Sequence, residues 1–154
     1  MLIPDQLLFS ATPASRQLAD NYSFHTPTIL SSMVKIPSPE SRYFQGARGF
    51  RVEKTPHGHL LEVKSLLTEE EMTETHQRSP FQVRGFGRTI FPPHIFQYLT
   101  GQFINPQTGE VDLLKTFQAL EGRLPHYAIL LNGHPCDLGT LQGYRYYTRK
   151  LLDL

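Results

Sequence analysis

Cysteine is nearly absent: Cys136 stands alone in 154 residues. A lone thiol excludes an internal disulfide framework and suits a reducing compartment. An excess of either charge is missing as well. The net charge is +1, and no basic cluster stands out, which argues against a nucleic-acid-binding surface. No apolar run approaches the ~20 residues that a membrane span needs. Met1-Leu2-Ile3-Pro4-Asp5 has no basic segment before its apolar run, and that run is too short for a signal peptide. Internal repeats and low-complexity linkers are missing too. The expectation is a soluble, cytoplasmic protein that binds neither nucleic acid nor membrane.

What is there reads as one α/β domain over residues 1–154, long enough to bury a real core. Leu2 to Pro4 is a short apolar run ending on Asp5. An acid at a strand end is a common edge of a ligand crevice in α/β folds. A chain rarely begins on its own central strand, so a further segment upstream is expected. Ser15 to His25 has helical spacing, with Thr12 or Ser15 as its cap and Pro27 as its stop. Thr28 to Ile36 reads as a buried strand. Ser38-Pro39-Glu40 opens a short helix. Gly49 to Glu53 and His59 to Leu66 flank Thr55-Pro56-His57-Gly58 as a hairpin. Thr68 is placed to cap a helix start at Glu69-Glu70-Glu71. Phe81 to Phe91 reads as a strand, and Pro92-Pro93 opens a short helix. Glu110 to Leu120 is a helix ended by Gly122, Tyr127 to Leu131 a strand, and Thr140 to Leu152 a last helix. This order predicts a mixed sheet flanked by helices.

Asp137 precedes a glycine turn and a helix start at Thr140. By itself that pattern describes helix capping. With Asp5 it describes two carboxylates that, if they converge, suit Mg²⁺ and the phosphates it bridges. His57-Gly58-His59 has no third ligand nearby in sequence, so a solvated turn is expected. Cys136 has no paired base and is expected to be a small buried side chain. Two of Tyr144, Tyr146 and Tyr147 are expected to pack. Arg145, Arg149 and Lys150 suit the C-terminal end of a helix dipole and need no phosphate partner.

Five ordered motifs carry a family resemblance: Ile3-Pro4-Asp5-Gln6-Leu7-Leu8; Tyr43 to Gly46; Gly87-Arg88-Thr89-Ile90-Phe91-Pro92-Pro93-His94-Ile95-Phe96; Gly109-Glu110-Val111-Asp112-Leu113-Leu114; and Cys136-Asp137-Leu138-Gly139 with Gly143-Tyr144. In this order they resemble the C-terminal half of bacterial glucose-1-phosphate uridylyltransferases and related sugar-1-phosphate nucleotidyltransferases. The resemblance implies the C-terminal half of the nucleotide-diphospho-sugar transferase fold. It implies Mg²⁺ at Asp5 and Asp137, backbone contact with the sugar at Gly87, and a place near the sugar for Gly46. The expected ligand is a sugar 1-phosphate or a nucleotide sugar.

Two departures bear on activity. The family's Gly-x-Gly-Thr-Arg loop, which holds the nucleotide phosphates, is not in this sequence. Leu66-Leu67-Thr68-Glu69-Glu70 stands where the family has a Glu-Lys-Pro motif, and Glu62-Val63-Lys64 is out of register with it. Nucleotidyl transfer depends on positioning and charge neutralisation, and one lost donor costs on the order of 10²–10³ in rate. The expectation is a chain without turnover of its own, or a non-catalytic binding or interaction module derived from this fold. Half of a shared sheet exposes an edge and an apolar face, so a second copy or a complementary chain is expected across it.

Overall fold

The computed structural model describes residues 6–23, 27–44, 48–68, 70–72, 74, 79–99, 104, 106–107, 109 and 113–152. Seven strands are described: β1 Gln6–Phe9, β2 Ile29–Pro37, β3 Phe50–Lys54, β4 Leu61–Leu66, β5 Phe81–Ile90, β6 His126–Leu130 and β7 His134–Asp137. The described residues include the α-helices α1 Ala14–Ala19, α2 Leu113–Leu120 and α3 Leu141–Leu152, and residues 70–72 and 74 are helical as well. Two 3-10 helices, η1 Ser38–Tyr43 and η2 Pro93–Gln97, follow β2 and β5.

The main sheet runs β3-β4-β6-β2-β5, and a separate ribbon pairs β1 with β7. β2 and β6 are parallel; every other pairing is antiparallel. The mixed α/β architecture expected from the element order is therefore present. β2 lies between β6 and β5 and is buried at almost every position. Its run Ile29-Leu30-Ser31-Ser32-Met33-Val34 does not alternate, because both of its faces are covered.

One core cluster joins Leu30, Val34, Ile36, Phe86 and Ile129 of the sheet to Ala14 and Leu18 of α1. Fully burying each aliphatic side chain is worth roughly 1.5–3 kcal/mol. A second cluster brings Ile29, Ile95 and Leu120 together, with Phe91 and Phe117 against them.

Several local expectations need correction. α1 stops at Ala19, well before His25. Neither Thr12 nor Ser15 caps it; Pro13 takes the N-cap position and offers no side-chain acceptor. β7 is a strand that the Asn-Gly and Pro punctuation of its sequence hides. The segment after Pro93 is a 3-10 helix that ends at Gln97. Leu2 to Asp5 and residues 110–112 lie outside the described residues. The hairpin is present as β3–β4. Thr68 and Glu71 form a reciprocal capping box: the Thr68 N–H donates to Glu71 Oε2 at 2.8 Å, and the Glu71 N–H donates to Thr68 Oγ1 at 3.2 Å.

Candidate functional site

The parallel pair β2/β6 sets the geometry. Both strands run toward the same end, where η1 leaves β2 and the Asn132-Gly133 turn leaves β6. Ligand crevices of α/β sheets lie at such carboxyl ends. The Leu131 N–H donates to Met33 O at 2.8 Å and extends the pairing to the turn. Gly133 takes φ 142°, and a Cβ there would come within 2.8 Å of Phe9 O, so β1 and the turn approach as only glycine permits. Gln17 of α1 grips the same turn from outside. Its amide accepts from the Asn132 N–H at 2.8 Å and donates to Asn132 O at 2.9 Å.

β7 then carries the chain back along β1 in a defined register, from Phe9 opposite His134 to Gln6 opposite Asp137. Asp137 is 2% exposed. Its Oδ1 accepts the Gly139 N–H at 3.0 Å, which turns the chain into α3. Thr140 caps that helix: its Oγ1 accepts the Gly143 N–H at 3.0 Å. Gly143 packs the first turn of α3 onto the site; a Cβ there would overlap the Asp137 carbonyl and lie 2.7 Å from Tyr43 O.

Gly87 is buried at a bulge in the β2–β5 register. Opposite it, Ser32 Oγ lies within hydrogen-bonding distance of Phe86 O (2.9 Å) and Arg88 O (2.7 Å). The Gly87 N–H turns away from β2 and donates to Gln6 Oε1 at 2.7 Å, while Arg88 donates to Gln6 O at 3.1 Å. β1 thus ties Gly87 on one side to Asp137 on the other. Of the sequence-predicted site residues, Asp137 and Gly87 are described; Asp5 and Gly46 lie outside the described residues.

Gln6, Glu40, His134 and Lys150 complete the surroundings, and the sequence marked none of them as a site residue. Lys150 is not merely a dipole cation, for its Nζ donates to Glu40 Oε1 at 2.6 Å. Glu40 Oε2 lies 3.6 Å from His134 Nε2. The only signal was an acid at a helix start and a base at a helix end. Cys136 is buried as expected, and burial, with Glu40 nearby, pushes its thiol up to about 11. Tyr147 is fully buried, Tyr146 stacks on Tyr43, and Tyr144 is 53% exposed. His57 and His59 are exposed in the hairpin turn. Among the described residues, no group of three or more His, Cys, Asp and Glu side chains could hold a metal. No described helix is long and apolar enough to cross a membrane.

At the opposite end of β2 and β6, a cavity of about 550 Å³ opens between β4, β6 and α2. His126 in its wall stacks on Phe117 at 5.2 Å, and its Nε2 is 2.8 Å from Ser31 Oγ. Burial lowers the His126 imidazole to about 4, so it is neutral near pH 7.

In fold and in sequence the chain resembles the C-terminal-type half of sugar-1-phosphate nucleotidyltransferases. The uridylyltransferase YngB of Bacillus subtilis (strain 168), named for UTP and glucose 1-phosphate, is 27% identical over 144 residues, which is 93% of this chain and 45% of that protein. An apo UDP-glucose pyrophosphorylase superposes with a TM-score of 0.67 at 18% identity, over 97% of this chain and 54% of its own. The crystal structure of a UDP-glucose pyrophosphorylase complexed with UDP-glucose gives 0.67 at 17% identity, over 97% and 55%. The chain thus spans about half the length of the relatives it matches. No protein-family model matches it.

Proposed function

We propose that this chain is the sugar-phosphate and metal side of a uridylyltransferase-type site. On its own it binds a nucleotide sugar such as UDP-glucose, or a sugar 1-phosphate, in the cytoplasm without turning it over. The observation that carries this reading is the β1–β7 register. Gln6 of β1 lies opposite Asp137 and its side chain accepts the Gly87 N–H, so one residue links the two positions.

Two carboxylates provide the hard oxygen donors that Mg²⁺ prefers. The buried Asp137 carboxylate has one oxygen oriented by the Gly139 N–H, which holds the side chain in one rotamer. Asp5 and Asp137 are the residues that would hold Mg²⁺, which when bound neutralises phosphate charge. By the family resemblance, Gly87 would meet the sugar with its backbone and Gly46 would stand near it. Gln6 occupies the Gly87 N–H, so a sugar hydroxyl reaching that amide displaces the Gln6 side chain.

In the complete reaction, an oxygen of glucose 1-phosphate attacks the α-phosphorus of UTP and pyrophosphate leaves. Holding the triphosphate in line requires the Gly-x-Gly-Thr-Arg cradle, which must come from another segment or another chain. Equilibrium dialysis against UDP-glucose with Mg²⁺, paired with a pyrophosphate-release assay on UTP and glucose 1-phosphate, tests this reading. Retention of UDP-glucose without pyrophosphate release is expected. Steady turnover by the chain alone, or no retention, contradicts it.

A further inference from the structure

We infer that Glu40 and Lys150 are positioning residues for the site around Asp137. Their ion pair zips η1, which leaves β2, to α3, which leaves β7, and so fixes the junction that carries Asp137. The inference rests on the reading of that junction as the ligand-binding side.

The two elements meet along matched faces. In a 3-10 helix, positions i and i+3 eclipse, which puts Glu40 and Tyr43 on one side of η1. In α3, positions 143, 146–147 and 150 share a face. The contacts follow that pairing. Gly143 closes on the Tyr43 and Asp137 carbonyls, so close that no Cβ fits. The Tyr146 ring stacks on Tyr43 with centroids 4.0 Å apart and planes 9° apart. At the far end, Lys150 Nζ reaches Glu40 Oε1 at 2.6 Å. His134, on the strand that ends at Asp137, faces the other carboxylate oxygen.

Glu40 is only 8% exposed. An ion pair with one buried partner is a poor source of stability, since desolvation of that partner offsets its attraction, but it is intolerant of the wrong register. Glu40 and Lys150 are 110 residues apart in sequence, and their pairing forms only when η1 and α3 sit in one relative position. Gly143 and the tyrosine stack allow the elements to approach; the charges select where they stop.

The test uses the purified chain with Glu40→Gln, Lys150→Met and Lys150→Arg. Amide hydrogen exchange at Gly139 and Gly143, whose N–H groups are held by Asp137 and Thr140, is compared with exchange at Val34 and Ile129 in the core. Glu40→Gln and Lys150→Met should speed exchange about tenfold at the two glycines and leave the core amides nearly unchanged, as expected for local opening. Lys150→Arg should restore protection. Equal acceleration everywhere, or none at the glycines, overturns the clamp. Should Glu40→Gln not fold, Lys150→Met decides alone, because Lys150 lies at the partly exposed end of the pair.

UDP-glucose affinity in the same variants supplies the second readout. A Kd raised about tenfold by Glu40→Gln and by Lys150→Met, and close to the wild-type value in Lys150→Arg, supports positioning; an unchanged Kd overturns it. A wild-type chain that binds no UDP-glucose contradicts the functional reading instead, and the exchange pattern still decides whether the clamp holds the junction.

Discussion

His126 is set between Phe117 and Phe50 with one ring nitrogen on Ser31, in an environment that disfavours its cation. Its imidazole is lowered from 6.5 to about 4 in the folded protein. Below pH 6.5 the unfolded chain takes up a proton that the folded chain resists. This contribution to stability is complete above pH 6.5 and is lost as the pH falls toward 4. A shift of this size corresponds to about 3 kcal/mol. Urea unfolding followed from pH 7 to pH 4 should show a decline of that order, and His126→Gln should flatten it. At the same scale, Asp137 was legible because an acid before a glycine turn is a local pattern. Glu40 and Lys150 were not, since each has an ordinary local explanation and only folding brings them together.

At the scale of elements, α3 depends on how closely its first turn approaches β7. Glycine within an exposed helix costs about 1 kcal/mol relative to alanine, so a replacement there usually stabilises. Gly143→Ala should do the opposite, because the added methyl meets two carbonyls. A loss of roughly 1–3 kcal/mol in urea unfolding is expected, as for other overpacked sites. Thr140→Ala should remove the cap of the same helix and cost about 1 kcal/mol. These elements also mark how far the fold could be read from residues alone. β2, β5 and β6 were legible because apolar and β-branched runs bounded by proline and glycine have few alternatives. β7 was not: Pro135 and the flanking Asn-Gly and Leu-Gly pairs look like a loop. A proline is tolerated there because β7 has β1 as its only described strand partner, so a ladder donor can be spared. α1 was overextended because Asn21 and Tyr22 keep helical spacing beyond Asp20, where the chain turns away toward β2.

At the scale of the whole molecule, β5 is an edge of the five-stranded sheet. The edge is partly closed from within, since Gly85 donates to Arg48 O and Gly87 to Gln6. Phe81 and Val83, at its start, remain 43% and 42% exposed. Such an edge invites pairing with another strand, either from a second copy or from a chain that carries the nucleotide cradle. Light scattering of the concentrated protein should show association, and Val83→Lys should reduce it; a clean monomer at high concentration contradicts this.

We propose that the Asp137 junction binds a nucleotide sugar through a metal. Calorimetric titration of UDP-glucose into the chain, with and without Mg²⁺, compared with Asp137→Asn, tests it most directly. Asparagine keeps an acceptor for the Gly139 N–H and removes the charge. The prediction is Mg²⁺-dependent binding by the wild type that is weakened at least about tenfold in Asp137→Asn. Absence of binding, or binding indifferent to both Mg²⁺ and the substitution, would contradict it.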